Sequence, residues 1–209
     1  MYTLYGSTGS GSAAIEVALQ RCGASFKVVR ASEWEPDSAL PELARINPLK
    51  QIPTLVLPDG TVVSESAAIL IHLALTFPSS GLLPTDASRR PVAMRGLVYI
   101  AANCYAAVSV GDYPQRWCVD PTEVVTASIR TAARANLHKA WDIFADTFPA
   151  SPFLSGDALG ALDILAATVS RWSGTRAHLA KSRPDFLATL LAIEHHPDVV
   201  PVFARHWAP

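Results

Sequence analysis

Two stretches carry side chains whose types and spacing suit chemistry on a small charged peptide. The first, residues 47–66, reads NPLKQIPTLVLPDGTVVSES. Glu65 can accept from an ammonium, while the Ser66 hydroxyl and the unpaired N–H groups of a helix start can hold a carboxylate, helped by the helix dipole. The two charged ends of one amino acid are thereby matched. Pro53 has no N–H, and a cis Ile52–Pro53 bond would turn the chain so that Ile52 offers both its N–H and its C=O to a peptide laid alongside. Together these features predict a pocket for a small zwitterionic peptide. The second stretch is the small polar loop Gly6-Ser7-Thr8-Gly9-Ser10-Gly11-Ser12, which follows Tyr5 and leads into a helix.

The elements that must position these groups are legible in the periodicity. Strand-like runs at 2–5 and 26–29 bracket a helix over 13–22. A short helix and a hairpin follow, the hairpin turning at Pro58-Asp59-Gly60 before Thr61-Val62-Val63, and a helix opens at Glu65. Residues 77–84 are rich in Pro, Gly and Ser, and from residue 88 onward the chain is alanine-rich with apolar residues at three and four spacing. Helices are predicted near 89–110, 121–148, 160–173, 184–196 and 198–207, separated by proline breakers. The organisation expected is one domain over residues 1–76, a linker over 77–88 and an all-helical domain over 89–209.

Composition narrows the function classes. The chain is 50% apolar and 17% charged, with a formal net charge of -1 and no Lys/Arg run, so neither disorder nor a nucleic-acid footprint is expected. No basic leader pattern and no apolar run of bilayer-spanning length is found, which predicts a cytoplasmic chain with no membrane partner. Cys22, Cys104 and Cys118 are odd in number and lack CxxC spacing, so they are expected to remain thiols. Cys22 continues the apolar face of Ile15, Ala18 and Leu19. The six histidines form no HxxxH pair, and no metal is expected.

On residues 47–66 the chain resembles the glutathione S-transferase family, in which a Val/Ile-Pro step and a Glu/Asp-Ser pair grip the tripeptide. The likeness is strong over residues 47–75 and architectural beyond about 90. It implies an α/β N-terminal thioredoxin-like domain plus an all-α C-terminal helical domain. It further implies glutathione as co-substrate with no cofactor or metal, a small hydrophobic electrophile as second substrate, a role in detoxification, and a homodimer. Within the family the loop fits a bacterial, serine-type or atypical class. By the same resemblance Lys50, Gln51, Ile52, Pro53, Glu65 and Ser66 are the candidate glutathione-binding residues, with Lys50 and Gln51 at its glycine end.

Family members activate the sulfur with a Tyr at the strand end or a Ser or Cys in the following loop, which makes Tyr5, Ser10 and Ser12 the catalytic candidates. Ungapped comparison with the cysteine-type bacterial class puts Gly11 where the cysteine should be, excluding a cysteine mechanism there. Ser10 is favoured because its flanking glycines let the backbone approach closely. The structural alternatives are strand packing for Tyr5 and helix capping for Ser10 and Ser12. Tyr105, Tyr113 and Trp117 are candidates for the hydrophobic pocket, with core packing the leading alternative for any one of them. Gly160 replaces the hydroxyl cap that the family places three residues before Asp163, leaving half a capping box. Two other readings stay open: glutathione-dependent reduction of peroxides or disulfides, and a non-catalytic module on the same scaffold.

Overall fold

The computed structural model describes residues 1–207. Strands β1 (Tyr2–Gly6), β2 (Phe26–Arg30), β3 (Thr54–Val56) and β4 (Val62–Ser64) form one sheet in the order β2-β1-β3-β4, with β1 parallel to β2 and the other pairings antiparallel. Helix α1 (Ser12–Arg21) makes the crossover between the parallel strands. Helix α2 (Leu40–Ile46) follows β2, and α3 (Ser66–Thr76) follows β4. The rest is helical: α4 (Arg90–Tyr99), α5 (Ala106–Asp112), α6 (Glu123–Thr147), α7 (Ala161–Val169), α8 (Thr175–Ser182), α9 (Pro184–Glu194) and α10 (Val200–His206). This is the thioredoxin-like plus all-helical architecture expected.

Alternation along β1 gives the sheet two different faces. Leu4 joins Ile15, Leu19, Leu70 and Leu73 in the main core, which continues without a break into Leu97, Trp141, Phe144 and Leu165 of the helical half. Tyr5 points the other way, into a small cluster with Ala31 and Leu43 beneath α2. Helix α1 is buried from Ser12 to Leu19 because it is covered both by the sheet and by helical neighbours α7 and α10. Gly96 allows α4 to approach α7 closely, since a Cβ there would sit 2.7 Å from the Leu162 methyls.

Several boundaries differ from the expectation. The helix predicted over 89–110 runs from Arg90 to Asp112 and contains a π segment, Ile100–Tyr105, between α4 and α5. At 23 residues with mean hydropathy 1.2 in its best window, it is long and apolar enough to cross a bilayer, contrary to the sequence expectation. Leu97, Ile100, Cys104 and Val108 on it are nevertheless packed in the protein core. The helix predicted over 160–173 stops at Val169, and α8 was not foreseen. Ser173 and Gly174, both at positive φ, break the chain between them, and the polar run Thr175–Ser182 carries little apolar periodicity.

The start of α7 explains its missing cap. Asp163, fully buried, accepts from the N–H groups of Leu154, Ser155 and Gly160 at 2.7, 3.1 and 3.0 Å. A Cβ on Gly160 would collide with the Ser155 side chain at 2.4 Å. The Ser155 side chain thus fills the space that a hydroxyl residue at position 160 would need, and Asp163 ties the preceding segment to the start of α7.

Candidate functional site

Sheet register gathers the two chemically promising stretches at one end. Tyr5 pairs with Thr54, and Thr54 with Ser64. The chain therefore leaves β1 into the loop 7–12, enters β3 from Pro53, and leaves β4 into Glu65, all at the same edge of the fold.

The segment ahead of β3 is held open by a buried polar network. Asn47 donates through Nδ2 to the Gln51 carbonyl at 3.3 Å and to Thr54 Oγ1 at 2.9 Å, and Thr54 Oγ1 donates back to Gln51 O at 2.8 Å. With Asn47 and Thr54 both buried, this network fixes the turn that presents Lys50, Gln51 and Ile52. Neither residue was singled out from sequence; the available signal was a short amide before Pro48 and a hydroxyl just past Pro53. The Ile52–Pro53 bond is cis. Among the described residues, neither the N–H nor the C=O of Ile52 has a hydrogen-bond partner.

Across from this edge, Glu65 caps α3 with φ 68°, is exposed, and has no ion-pair partner among the described residues. Ser66 is buried as the first helical residue. Lys50, exposed like Gln51, also lies at positive φ, 55°. A non-glycine residue held there costs about 1–3 kcal/mol, and such strain concentrates at ligand sites. Here it falls on the two charged residues flanking the unpaired Ile52.

The loop after β1 is organised by its own hydroxyls. Ser10 Oγ donates to Ser7 O at 2.7 Å and lies 2.9 Å from Ser12 Oγ, which in turn reaches Ser7 O at 3.2 Å and accepts from the Ser7 N–H at 3.2 Å. Ser7 Oγ continues the chain to Ser32 at 3.1 Å, and Ser32 donates to Glu35 at 3.0 Å. Tyr5 stands outside this network: its hydroxyl donates to Glu42 on α2 at 2.5 Å. Burial, followed by that carboxylate, pushes its pKa up to about 12.

Two residues of the helical half reach the same loop. A Cβ on Gly11 would lie only 2.3 Å from the Tyr105 hydroxyl, so the tyrosine fills the space a side chain at position 11 would take. Its ring stacks on Trp172 at 5.4 Å. On the other flank the Gly9 N–H donates to His206 Nδ1 at 3.2 Å, and His206 Nε2 sits 2.6 Å from Glu16 Oε1. Because Nδ1 accepts, the proton lies on Nε2 and goes to the carboxylate. Burial pushes the Glu16 pKa up, yet His206 and Arg205 together outweigh it and hold the group below its ordinary value. His206 and Glu16 were not foreseen, since nothing local marks a pair 190 residues apart.

A cleft of about 430 Å³ is lined by Trp34, Ala107, Tyr113, Leu137, Ser173 and the charged groups Asp112, Arg130 and Arg134. Of the three aromatic candidates, Tyr113 lines this cleft and Tyr105 sits at Gly11. Trp117 is 60% exposed and is not part of the cleft wall. The cysteines are unpaired thiols; burial pushes Cys104 up to about 12.

Residues 1–75 match the family described as "Glutathione S-transferase, N-terminal domain". The chain is 29% identical to the GST-like protein YncG of Escherichia coli K12 over 82% of each chain. Its fold is similar to a glutathione transferase homologue from Sulfitobacter with bound glutathione, with TM-score 0.83 and 21% identity over 97% of this chain and 96% of that one. It is also similar to a glutathione S-transferase from Methylobacterium radiotolerans in complex with glutathione sulfonate, with TM-score 0.73 and 26% identity over 100% and 96% of the two chains.

Proposed function

We propose that this chain, whose residues 1–75 match the glutathione S-transferase N-terminal domain, is a glutathione transferase that binds glutathione, stabilises its thiolate and conjugates it to an electrophilic carbon. One observation carries this reading: the unpaired main chain of Ile52 and the unpartnered Glu65–Ser66 pair leave the sheet at the same end as the glycine-rich loop at the start of α1. Glu65 takes the γ-glutamyl ammonium, and Ser66 with the first N–H groups of α3 takes its carboxylate. Ile52 pairs with the cysteinyl main chain in the manner of an added strand. Lys50 and Gln51 meet the glycine end. The sulfur then falls toward the loop 7–12.

The energetics are sufficient. A free thiol titrates near ~8.5, and lowering that by two units needs about 2.7 kcal/mol of preference for the thiolate. One hydrogen bond to the charged sulfur contributes about 1.5–3 kcal/mol and a helix N-terminus roughly 0.3–1 kcal/mol. The thiol proton leaves to solvent, the thiolate forms the new C–S bond, and the leaving group departs with its electron pair, so the step balances without a cofactor. The electrophile occupies the cleft, its apolar body against Trp34, Tyr113 and Leu137 and any polar or anionic substituent toward Arg130 and Arg134.

Titration calorimetry with glutathione, paired with assays using an aryl halide and a hydroperoxide, tests the proposal. Saturable heat and turnover of the halide are expected. Heat with turnover of the hydroperoxide alone assigns peroxide reduction instead, and absence of heat assigns a scaffold without a site. The proposal extends to a cytoplasmic homodimer acting in detoxification. Leu75, Val92 and Val98 leave exposed apolar surface on α3 and α4 that suits a two-fold interface, and sedimentation at a dimer mass is the expected result.

A further inference from the structure

We infer that the hydroxyl holding the glutathione thiolate belongs to Tyr105 of the helical half, presented at the N-terminus of α1 over Gly11, and not to a serine of the β1–α1 loop. The inference rests on the glutathione reading above and concerns which group touches the sulfur.

Supply of protons is the first reason. Each serine hydroxyl has one to donate. Ser10 directs its own to Ser7 O at 2.7 Å, and Ser12, fully buried, has both Ser7 O and Ser10 Oγ within reach inside the loop. Using either on a thiolate would release a buried carbonyl contact. The Tyr105 O–H, by contrast, has no acceptor among the described residues, whereas Tyr5 donates to Glu42 and Tyr99 donates to the Ala140 carbonyl at 3.0 Å.

Placement is the second. Gly11 is the N-cap of α1, where the helix dipole favours negative charge. The tyrosine hydroxyl lies at that point, 2.3 Å from where a Gly11 Cβ would be, so any residue larger than glycine would evict it. The ring is aimed there by two constraints: stacking on Trp172, and its position as the last residue of the π segment Ile100–Tyr105, a distortion that recurs at functional sites. Cys104, just before it, is locked in the core.

The protonation state fits. Burial pushes Tyr105 up to about 12, against a smaller lowering by the Gly11 N–H, and the charges of Asp112 and Glu65 raise it further. The phenol therefore stays a donor throughout the range in which a thiol ionises. No proton is transferred by Tyr105: it lends a hydrogen bond to the sulfur while the thiol proton goes to solvent.

Tyr105→Phe keeps the ring and its stacking and removes only the O–H. With the variant, glutathione affinity by calorimetry should change by less than about threefold. The thiol pKa in the binary complex, read from thiolate ultraviolet absorbance against pH, should rise by about one unit or more. The aryl-halide kcat should fall at least about tenfold at pH 6.5 and recover toward wild type near pH 9. Gly11→Ala, whose methyl displaces the hydroxyl, should shift the titration the same way, and Ser10→Ala should move it little. An unshifted titration in Tyr105→Phe, or a shift confined to Ser10→Ala, overturns the inference while leaving the glutathione reading intact. Absence of saturable heat with the wild type overturns both.

Discussion

The two ends of the candidate site are built in opposite ways. The edge that would grip the peptide is assembled from residues 47–66, its turn held by Asn47 and Thr54, seven positions apart. The loop that would receive the sulfur depends on partners far away: Tyr105 meets Gly11 from 94 positions on (105 − 11), and His206 reaches Gly9 across 197. A local structure can bind; a loop braced from a distance can be tuned. The contrast implies that substitutions in the first region act on affinity, and substitutions among the remote braces act on rate and stability.

The largest effect expected comes from cutting a brace. His206→Ala removes the Nε2–H donor of the buried Glu16 carboxylate and leaves only Arg205 beside it, and leaving a buried charged acceptor short of a donor costs about 3–4 kcal/mol. Chemical denaturation should register a loss near the lower figure because Arg205 remains. A loss under about 1 kcal/mol would dissolve the contrast.

Next is Glu65→Ala, which should weaken glutathione binding about 100-fold, about 2.7 kcal/mol, and abolish retention on immobilised glutathione. The kcat at saturating glutathione should stay within about twofold. A large fall in kcat would show that affinity and rate are not divided between the regions.

A smaller effect of opposite sign is expected from Glu65→Gly. Glycine tolerates φ 68° without penalty, so this variant should be about 1 kcal/mol more stable than Glu65→Ala, with the same loss of binding. Equal midpoints for the two variants would remove strain from the account.

The mildest test is titration. Burial raises Glu16 and Glu194, but His206 with Arg205 on the first and Arg176 with Arg171 on the second win, and both lie below the model-compound value of 4.5. The unfolded chain therefore binds more protons between that value and the folded pKa. Stability should hold above pH ~4.5 and decline as pH falls through the folded values. His206→Ala should flatten that slope only in part, because Glu194 with Arg176 and Arg171 contributes independently.

What could be read from the chain follows the same division. The Ile52–Pro53 step, the Asp59-Gly60 turn and the Glu65–Ser66 helix start are short-range patterns with local physical causes, and all were legible. The architecture was legible as well, because strand alternation gave way to three-and-four spacing near residue 88. The orientation of Tyr5 toward α2, the mutual bonding of Ser10 and Ser12, and the arrival of Tyr105 and His206 were not, since each is decided by packing between segments whose approach no window of sequence encodes. Helix α8 was missed for a related reason: its eight residues owe their helicity to tertiary cover, with Leu179 buried, and not to an amphipathic repeat.

The Gly9–His206 contact also sets an order of events during synthesis. A ribosome releases residue 206 only after the sheet, its crossover helix and most of the helical layer have emerged and had time to pack. The edge over residues 47–66 can thus form while the loop after β1 still awaits its brace.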